Sequence, residues 1–210
     1  MPRIAERREP AEPVSADQQL RYRRILRAAA RLGAEHGHER MQMNDVAKEA
    51  GVAIATLYRY FPSKNDLFLG LMRSQVRVLS PATVADDGLP PSKAVAKTLV
   101  SATNGLLQAP LLASAMLQAN NAAQHQSGSE GSDVSNAFHH LVLRSLGIDD
   151  PTPQDLRMVR LVEQAWYGAL VSVLNDVITY EECVEDIDVI CELLLSPTYD
   201  EPRDAGDCKE

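Results

Sequence analysis

The side chains best suited to bind a partner lie close together in the stretch VAIATLYRYFPSK, residues 52–64. Threonine and tyrosine hydroxyls can donate hydrogen bonds to phosphate oxygens, and a lysine just beyond them adds positive charge. A guanidinium has the fork geometry that reads guanine in the major groove of DNA. These residue types and this spacing therefore point to nucleic-acid binding by five candidate side chains: Thr56, Tyr58, Arg59, Tyr60 and Lys64.

Three short helices are predicted to position these side chains. The first runs from Asp17 to a stop at Gly37, the second covers NDVAKEAG and ends at Gly51, and the third covers AIATLYRYF and ends at Pro62. A tight turn between the second and third helices is typical of a helix-turn-helix. Each tyrosine taken alone could be an ordinary surface or half-buried aromatic, but behind this motif a DNA-binding role is favoured.

The third helix is predicted to have a buried side and a side that faces the partner. Leu57 and Phe61 are four residues apart and so share one face, which can pack against the small and apolar residues of 46–50. The other side chains of the helix then project away from that contact. Ala55 is small enough to let the helix approach base edges closely.

All periodic segments after residue 62 are predicted to be helical, because none of them alternates polar and apolar residues with a period of two. Ser63 should cap the fourth helix, which joins the two halves of the chain. The predicted helices cover residues 63–79, 91–108, 110–124, 133–146, 153–177 and 180–195.

The sequence thus predicts an all-α protein with two folded domains. An N-terminal three-helix helix-turn-helix DNA-binding domain precedes a C-terminal helical ligand-binding and dimerisation domain. The predicted boundaries are a disordered arm over residues 1–16, the DNA-binding domain over 17–62, the helical effector-binding domain over 63–196 with a connecting helix over 63–79, and a disordered tail over 197–210.

The charge of the chain divides between its two halves. The net charge is −8, yet residues 1–79 hold 14 Lys and Arg against 9 Asp and Glu, whereas residues 80–210 hold 7 against 20. This asymmetry indicates a small basic module attached to an acidic domain. The overall acidity therefore does not exclude DNA as a partner.

Membrane proteins and the common enzyme classes are disfavoured. No apolar run approaches the roughly 18 residues that span a bilayer, and the three cysteines lack metal-binding spacing, so free thiols in a reducing cytoplasm are expected. There is no G-x-S-x-G, P-loop or H-E-x-x-H motif. His139 and His140 are adjacent, so on a helix they point about 100° apart and cannot readily share a metal. No cofactor, no catalysis and no membrane partner are expected, and the predicted location is cytoplasmic.

The segment DVAKEAGVAIATLYRYFPSKNDL, residues 45–67, resembles the DNA-binding segment of the TetR family of bacterial transcription regulators. The usual pattern is close to I-A-x-x-A-G-V-S-x-G-T-L-Y-x-Y-F-x-S-K-x-x-L. Ala53 replaces the common serine, which removes a capping hydroxyl, and Ala55 replaces the common glycine. Gln42 and Asn44 stand where the family often has phosphate-binding residues, although one of them could instead cap the second helix. The resemblance implies phosphate contacts from Thr56, Tyr58, Tyr60 and Lys64, and base contacts from Ile54, Ala55 and Arg59.

The C-terminal half resembles a subgroup of the same family that represses cholesterol catabolism. The segments APLLASAMLQA and RLVEQAWYGALVSVL carry this likeness. It implies a small hydrophobic effector such as a lipid, a sterol or an acyl-CoA derivative. The sparse positive charge makes a neutral or weakly anionic lipid-like ligand at least as plausible as a CoA ester. The candidate lining residues, which could also be ordinary core residues, are Met72, Leu107, Leu112, Met116, Trp166 and Tyr167.

Two late helices carry apolar stripes that step by three or four residues. These stripes fit either the core of one subunit or a four-helix interface between two. The second interpretation predicts a homodimer whose interface contains Val159, Val162, Leu170, Val173, Val177, Ile187, Ile190 and Leu194.

The sequence therefore predicts a homodimeric repressor that a hydrophobic small molecule releases from palindromic double-stranded operator DNA. The alternative is a DNA-binding regulator without a small-molecule effector, which acts constitutively, through a protein partner or as an activator.

Overall fold

The computed structural model describes residues 10–79, 88–124 and 129–200, and α-helices are the regular elements of those residues. The predicted all-α class is confirmed. The helices are α1 Ala16–Arg40, α2 Met43–Ala50, α3 Ile54–Tyr60, α4 Lys64–Val78, α5 Pro91–Leu107, α6 Pro110–Gln124, α7 Ser129–Ser145, α8 Pro153–Leu174 and α9 Tyr180–Tyr199. None of the helices in the described ranges is long and apolar enough to cross a membrane.

Local signals in the sequence explain where the helices begin and end. Ser15 caps α1 reciprocally with Gln18, and Ser63 Oγ accepts a hydrogen bond from the Asp66 amide in the first turn of α4. Gly37 adopts a φ of 66° and interrupts α1 at the residue where the sequence predicted the helix to end. One further helical turn, up to Arg40, follows this glycine.

The described chain packs into two compact units. The first contains α1 to α3, α4 as far as Gln75, and α6, while the second contains α5, α7 from Ser135, α8 and α9. The predicted boundary after residue 62 does not coincide with this division, because α6 packs along α1. The two helices approach so closely that a Cβ on Gly33 would lie 2.8 Å from Leu112 Cδ1.

The second unit buries half of the eight residues that were predicted to form a subunit interface. Val159, Val162, Leu170 and Ile187 are completely buried among α5, α8 and α9. Assigning them to the interface was wrong, since they form the core of their own unit. Of the remaining predicted interface residues, Val173, Ile190 and Leu194 are half-buried and Val177 is exposed.

The C-terminal end of α9 is anchored rather than disordered. Tyr199 is buried and its hydroxyl donates to Asp155 Oδ1 at 2.8 Å. The Asp200 carboxylate accepts hydrogen bonds from the Ser92 amide at 2.9 Å and from its hydroxyl at 2.5 Å. Partial burial acts to raise the pKa of Asp200, but the hydrogen bonds from Ser92 and Ser196 and the charge of Lys93 together lower that pKa. The prediction that the tail begins at residue 197 was therefore wrong, and residues 201–210 lie outside the described ranges.

Candidate nucleic-acid interface and effector region

The helix-turn-helix forms as the sequence predicted. Gly51 adopts a left-handed conformation (φ 62°) that ends α2, and the Val52 amide donates to the Ala47 carbonyl at 3.0 Å. Leu57 is buried on the inner side of α3, and the apolar residues of α2 are buried as well. Phe61, the residue that follows α3, is buried with its ring centre 5.0 Å from that of Tyr22 in α1. This packing fixes which face of α3 points outward.

The outer face of α3 presents a mixed polar and apolar surface. Ile54, Ala55, Tyr58 and Arg59 are exposed and Thr56 is half-buried. The N-cap of α3 is Ala53, which supplies no side-chain hydrogen bond, as expected from the loss of the common serine. The structure thus brings together on one helix five of the predicted DNA-binding residues.

The start of α2 adds two exposed amides to this surface. Gln42 is the N-cap of α2 and Asn44 lies in its first turn. Gln42 makes no capping hydrogen bond with its side chain, so its amide group is presented to solvent. The phosphate-binding interpretation of these two residues remains a prediction.

Tyr60 does not belong to the exposed surface. It is only 2% exposed and packs edge-to-face against Tyr22, with ring centroids 5.7 Å apart at 86°. The prediction of a phosphate contact from Tyr60 was wrong, because a residue three positions after Leu57 returns to the same buried side of the helix.

Arg59 is held at both its side chain and its main chain. Its Nη2 donates to the Tyr60 hydroxyl at 3.2 Å, and its guanidinium carbon lies 5.1 Å from the centre of the Tyr60 ring. Its carbonyl accepts a hydrogen bond from the Ala11 amide at 3.0 Å. Residues 10–15 of the predicted disordered arm therefore include a contact to α3, and residues 1–9 lie outside the described ranges.

Lys64 has partners within its own unit. Its ammonium donates to the carbonyl oxygens of His38 at 2.8 Å and Glu39 at 3.3 Å. Because an ammonium group has three N–H donors, one donor is left for the predicted phosphate contact.

Arginines of α1 add positive charge beside the motif. Arg24 and Arg27 are exposed, and Arg24 Nη1 lies 4.0 Å from the position that a Cβ on Gly51 would occupy. Arg31 instead binds Glu49 of α2 at 2.9 Å, and this hydrogen bond raises the pKa of Arg31. Arg31 therefore joins α1 to α2.

The six candidate effector residues are divided between the two units. In the first unit Leu112 and Met116 of α6 are buried and Met72 of α4 is half-buried; in the second unit Leu107 and Tyr167 are half-buried. The sixth, Trp166, is buried in the second unit.

The Trp166 indole has defined partners within that unit. Its Nε1–H donates to Thr103 Oγ1 at 2.9 Å. Its ring stacks on Phe138, with centroids 5.1 Å apart and planes at 7°.

A polar cluster near Trp166 was missed by the sequence reasoning. The Glu163 carboxylate accepts hydrogen bonds from Ser135 Oγ at 2.9 and 3.0 Å and lies 2.8 Å from His139 Nε2. Glu163 precedes Trp166 by one helical turn, so the cluster borders the aromatic stack. Ser135 and His139 lie 28 and 24 residues before Glu163 in the sequence, so no periodic pattern indicates that the three residues meet. Among the described residues no group of histidine, cysteine or carboxylate side chains has the arrangement of a metal site.

Comparison with known proteins agrees with this geometry. Residues 25–71 match the family described as bacterial regulatory proteins, tetR family, and residues 88–194 match the tetracyclin repressor-like C-terminal domain. The transcriptional repressor KstR of Rhodococcus jostii RHA1 is 30% identical over 85% of this chain and 84% of its own. This relative confirms the predicted likeness to KstR repressors.

Two solved structures give the same fold. A TetR transcriptional regulator from Rhodococcus sp. RHA1 is 42% identical, with a TM-score of 0.78 over 85% of this chain and 97% of that one. Thermus thermophilus FadR, solved in complex with lauroyl-CoA, is 19% identical, with a TM-score of 0.59 over 90% of this chain and 100% of that one. At that identity the second likeness concerns the fold alone. The chain therefore belongs to the tetR family of bacterial regulatory proteins.

Proposed function

We propose that this protein is a homodimeric repressor that binds a pseudo-palindromic operator through α3 and leaves it when a hydrophobic small molecule binds. The observation that carries this proposal is the two-sided character of α3. Leu57 and Tyr60 fix the helix in the unit, while Ile54, Tyr58 and Arg59 stand on its outer side. A helix held in this way can enter a major groove without disturbing the core beneath it.

The exposed residues divide by the part of DNA that each can recognise. Hydroxyl, amide and ammonium groups suit phosphate oxygens, which fix the position of the protein on the duplex. The guanidinium of Arg59 can pair with the edge of a guanine base, and the small or apolar side chains beside it can contact other base edges. We assign phosphate contacts to Gln42, Asn44, Thr56, Tyr58 and Lys64, and base contacts to Ile54, Ala55 and Arg59.

Selection from a random-sequence duplex library tests the DNA-binding function. We expect the wild-type protein to enrich a sequence with two related half-sites, whose centres are about one helical turn or 34–36 Å apart. Arg59→Ala should lower the affinity for that sequence about ten- to a hundredfold, because a good arginine–guanine pair contributes about 1–3 kcal/mol of discrimination. The matched control is Arg144→Ala, which removes an exposed arginine of α7 in the other unit. Failure of the wild-type protein to enrich any sequence would refute the proposal.

Dimerisation is assigned to the outer sides of α8 and α9. Leu193 is 71% exposed, Val189 is 54% exposed, and Leu161 of α8 is also exposed. Val189 and Leu193 are four residues apart on α9, so they form one apolar strip that a second copy could bury. This strip takes the place of the buried residues that were first assigned to the interface.

The effector is assigned to the apolar interior of the second unit. The likeness to KstR and the apolar candidates of the second unit, Trp166 and Tyr167, support a hydrophobic ligand. The lauroyl-CoA bound by the fold-related FadR adds acyl-CoA esters to the classes to test. A thermal-shift screen with fatty acids, sterols and acyl-CoA esters provides the experiment. A compound that raises the melting temperature and also releases the protein from its operator supports the proposal. If no class does both, the regulator acts without such an effector.

A further inference from the structure

We propose that Tyr60 and Ala11 are positioning residues that hold Arg59 in the orientation with which it reads a base. This inference rests on the proposed role of Arg59 in operator recognition. It assigns to Tyr60 a function other than phosphate binding, and it assigns a function to a residue that precedes α1.

The side chain of Arg59 rests on an acceptor that is itself fixed. The Tyr60 hydroxyl accepts a hydrogen bond from Arg59 Nη2 at 3.2 Å, and the guanidinium carbon lies 5.1 Å from the ring centre, within the range of a cation–π contact. Tyr60 is 2% exposed and its ring abuts Tyr22 edge-to-face, so the phenol cannot turn to follow a mobile arginine. The fixed Tyr60 hydroxyl therefore restricts the guanidinium of Arg59 to one orientation.

The main chain of Arg59 is held from a second direction. The carbonyls in the last turn of a helix have no partner within that helix, and α3 is only seven residues long. The Ala11 amide donates to the Arg59 carbonyl at 3.0 Å and satisfies one of these acceptors. The contact therefore holds the turn of α3 that carries Arg59.

This arrangement should act on sequence recognition and not on general DNA affinity. A free arginine loses rotamer freedom when it binds a base, and holding it in advance reduces that loss. One of the five N–H donors of the guanidinium contacts Tyr60, so four are left for a base. Phosphate contacts made elsewhere on the surface do not depend on the orientation of Arg59. Loss of the positioning contacts should therefore lower the ratio of operator affinity to nonspecific affinity.

Two matched tyrosine-to-phenylalanine substitutions separate this role from a phosphate contact. We expect Tyr60→Phe to lower affinity for the selected operator about two- to tenfold, because the arginine then loses its rotamer freedom on binding the base and not beforehand. The affinity for a scrambled duplex should be unchanged. Tyr58→Phe removes an exposed hydroxyl two residues earlier and should lower both affinities alike. Fluorescence anisotropy with both duplexes gives the ratio, and circular-dichroism melts check that each variant is folded.

A double-mutant cycle tests whether Tyr60 acts through Arg59. In an Arg59→Ala background, Tyr60→Phe should have no further effect on operator affinity. Additive effects, equal losses on both duplexes, or an unchanged operator affinity for Tyr60→Phe would each overturn the role of Tyr60. If the wild-type protein selects no sequence at all, the proposed function fails instead, so the two failures are distinguishable.

The role of Ala11 has its own pair of variants. Ala11→Pro removes the amide donor, and Ala11→Gly retains it. We expect the proline variant to lower the ratio of operator to nonspecific affinity about threefold or more, and the glycine variant to keep the wild-type ratio. Equal ratios for the two variants would remove Ala11 from the proposal.

Discussion

The Lys64 ammonium donates a hydrogen bond to the His38 carbonyl at 2.8 Å and thereby joins the first turn of α4 to the last turn of α1. A second hydrogen bond reaches the Glu39 carbonyl at 3.3 Å. Carbonyls at the end of a helix lack partners and carry the negative end of the helix dipole, so a cation there is stabilising. A lysine predicted to bind phosphate therefore also holds together the unit that presents α3.

Substitution of Lys64 should lower the stability of the protein as well as its DNA affinity. We expect Lys64→Met, which keeps much of the apolar stem, to reduce the free energy of unfolding by about 1–2 kcal/mol, because a charged donor to two carbonyls is lost. Urea unfolding monitored by circular dichroism measures this change. Lys48→Met removes an exposed lysine of α2 and should change the free energy by less than about 0.5 kcal/mol. An unchanged stability for Lys64→Met would limit that residue to a role on DNA.

The recognition helix could be predicted from the sequence because its information is local. Gly51, the four-residue spacing of Leu57 and Phe61, and Ser63 fix the ends and the inner face of α3 and the start of α4 without reference to distant residues. The same periodicity places Tyr60 on the buried side of α3. It was nevertheless predicted to contact phosphate, because its hydroxyl group can donate a hydrogen bond. No local sequence pattern predicts the contact between Ala11 and Arg59, because it depends on the path of the backbone before α1.

The hydrogen bond between Trp166 and Thr103 should contribute measurably to the stability of the second unit. Thr103→Val preserves the shape of the side chain but leaves the buried indole N–H without its acceptor, which should cost about 1–3 kcal/mol of the free energy of unfolding. Thr103→Ser retains the hydroxyl and is the control, with a smaller loss expected from the missing methyl group. Trp166 is the only tryptophan of the chain, so its fluorescence during urea unfolding reports on this site. Similar losses for valine and serine would indicate that packing dominates there.

The proposed subunit interface predicts a dissociated variant. Leu193→Glu places a charge in the apolar strip formed with Val189, and burying that charge between two copies would be costly. We expect sedimentation equilibrium to give a dimer for the wild-type protein and a monomer for Leu193→Glu. Operator affinity should fall at least about a hundredfold, because the second half-site is no longer bound by a linked partner.

A matched substitution controls for the added charge. Leu20→Glu changes another exposed leucine, in α1, and should remain dimeric. A dimer that persists in Leu193→Glu would place the interface elsewhere.

The apolar stripes illustrate a limit of sequence patterns. The spacing of Val159, Val162 and Leu170 establishes that these residues share a face of α8, but it cannot say whether that face meets its own unit or a second copy. The exposed pair Val189 and Leu193 is less conspicuous in the sequence, because acidic residues flank it on α9. The cluster of Ser135, His139 and Glu163 likewise depends on the packing of α7 against α8.

Because the two thiols of α9 are buried, we expect them to react slowly with thiol reagents and to make the stability of the protein depend on pH. Burial, followed by the nearby Asp188 carboxylate, raises the pKa of Cys191 from 9.0 to about 12, and burial also raises the pKa of Cys183. At pH 8 only about one Cys191 in ten thousand would be a thiolate in the folded protein. A Cys208→Ser variant should therefore resist a thiol reagent at pH 8 in buffer and react at two thiols in urea. Rapid labelling of the folded variant would contradict the burial of α9.

The sign of the pH effect follows from which state holds the proton. Above pH 9 the unfolded chain loses the Cys191 proton while the folded protein keeps it until about pH 12. The contribution of Cys191 to stability is thus fully present below pH 9 and is lost as the pH rises towards 12. Other groups titrate in this range, so Cys191→Ala supplies the comparison. We expect the free energy of unfolding to fall more steeply between pH 8 and pH 10.5 in the wild-type protein than in Cys191→Ala, and parallel curves would show that the thiol ionises alike in both states.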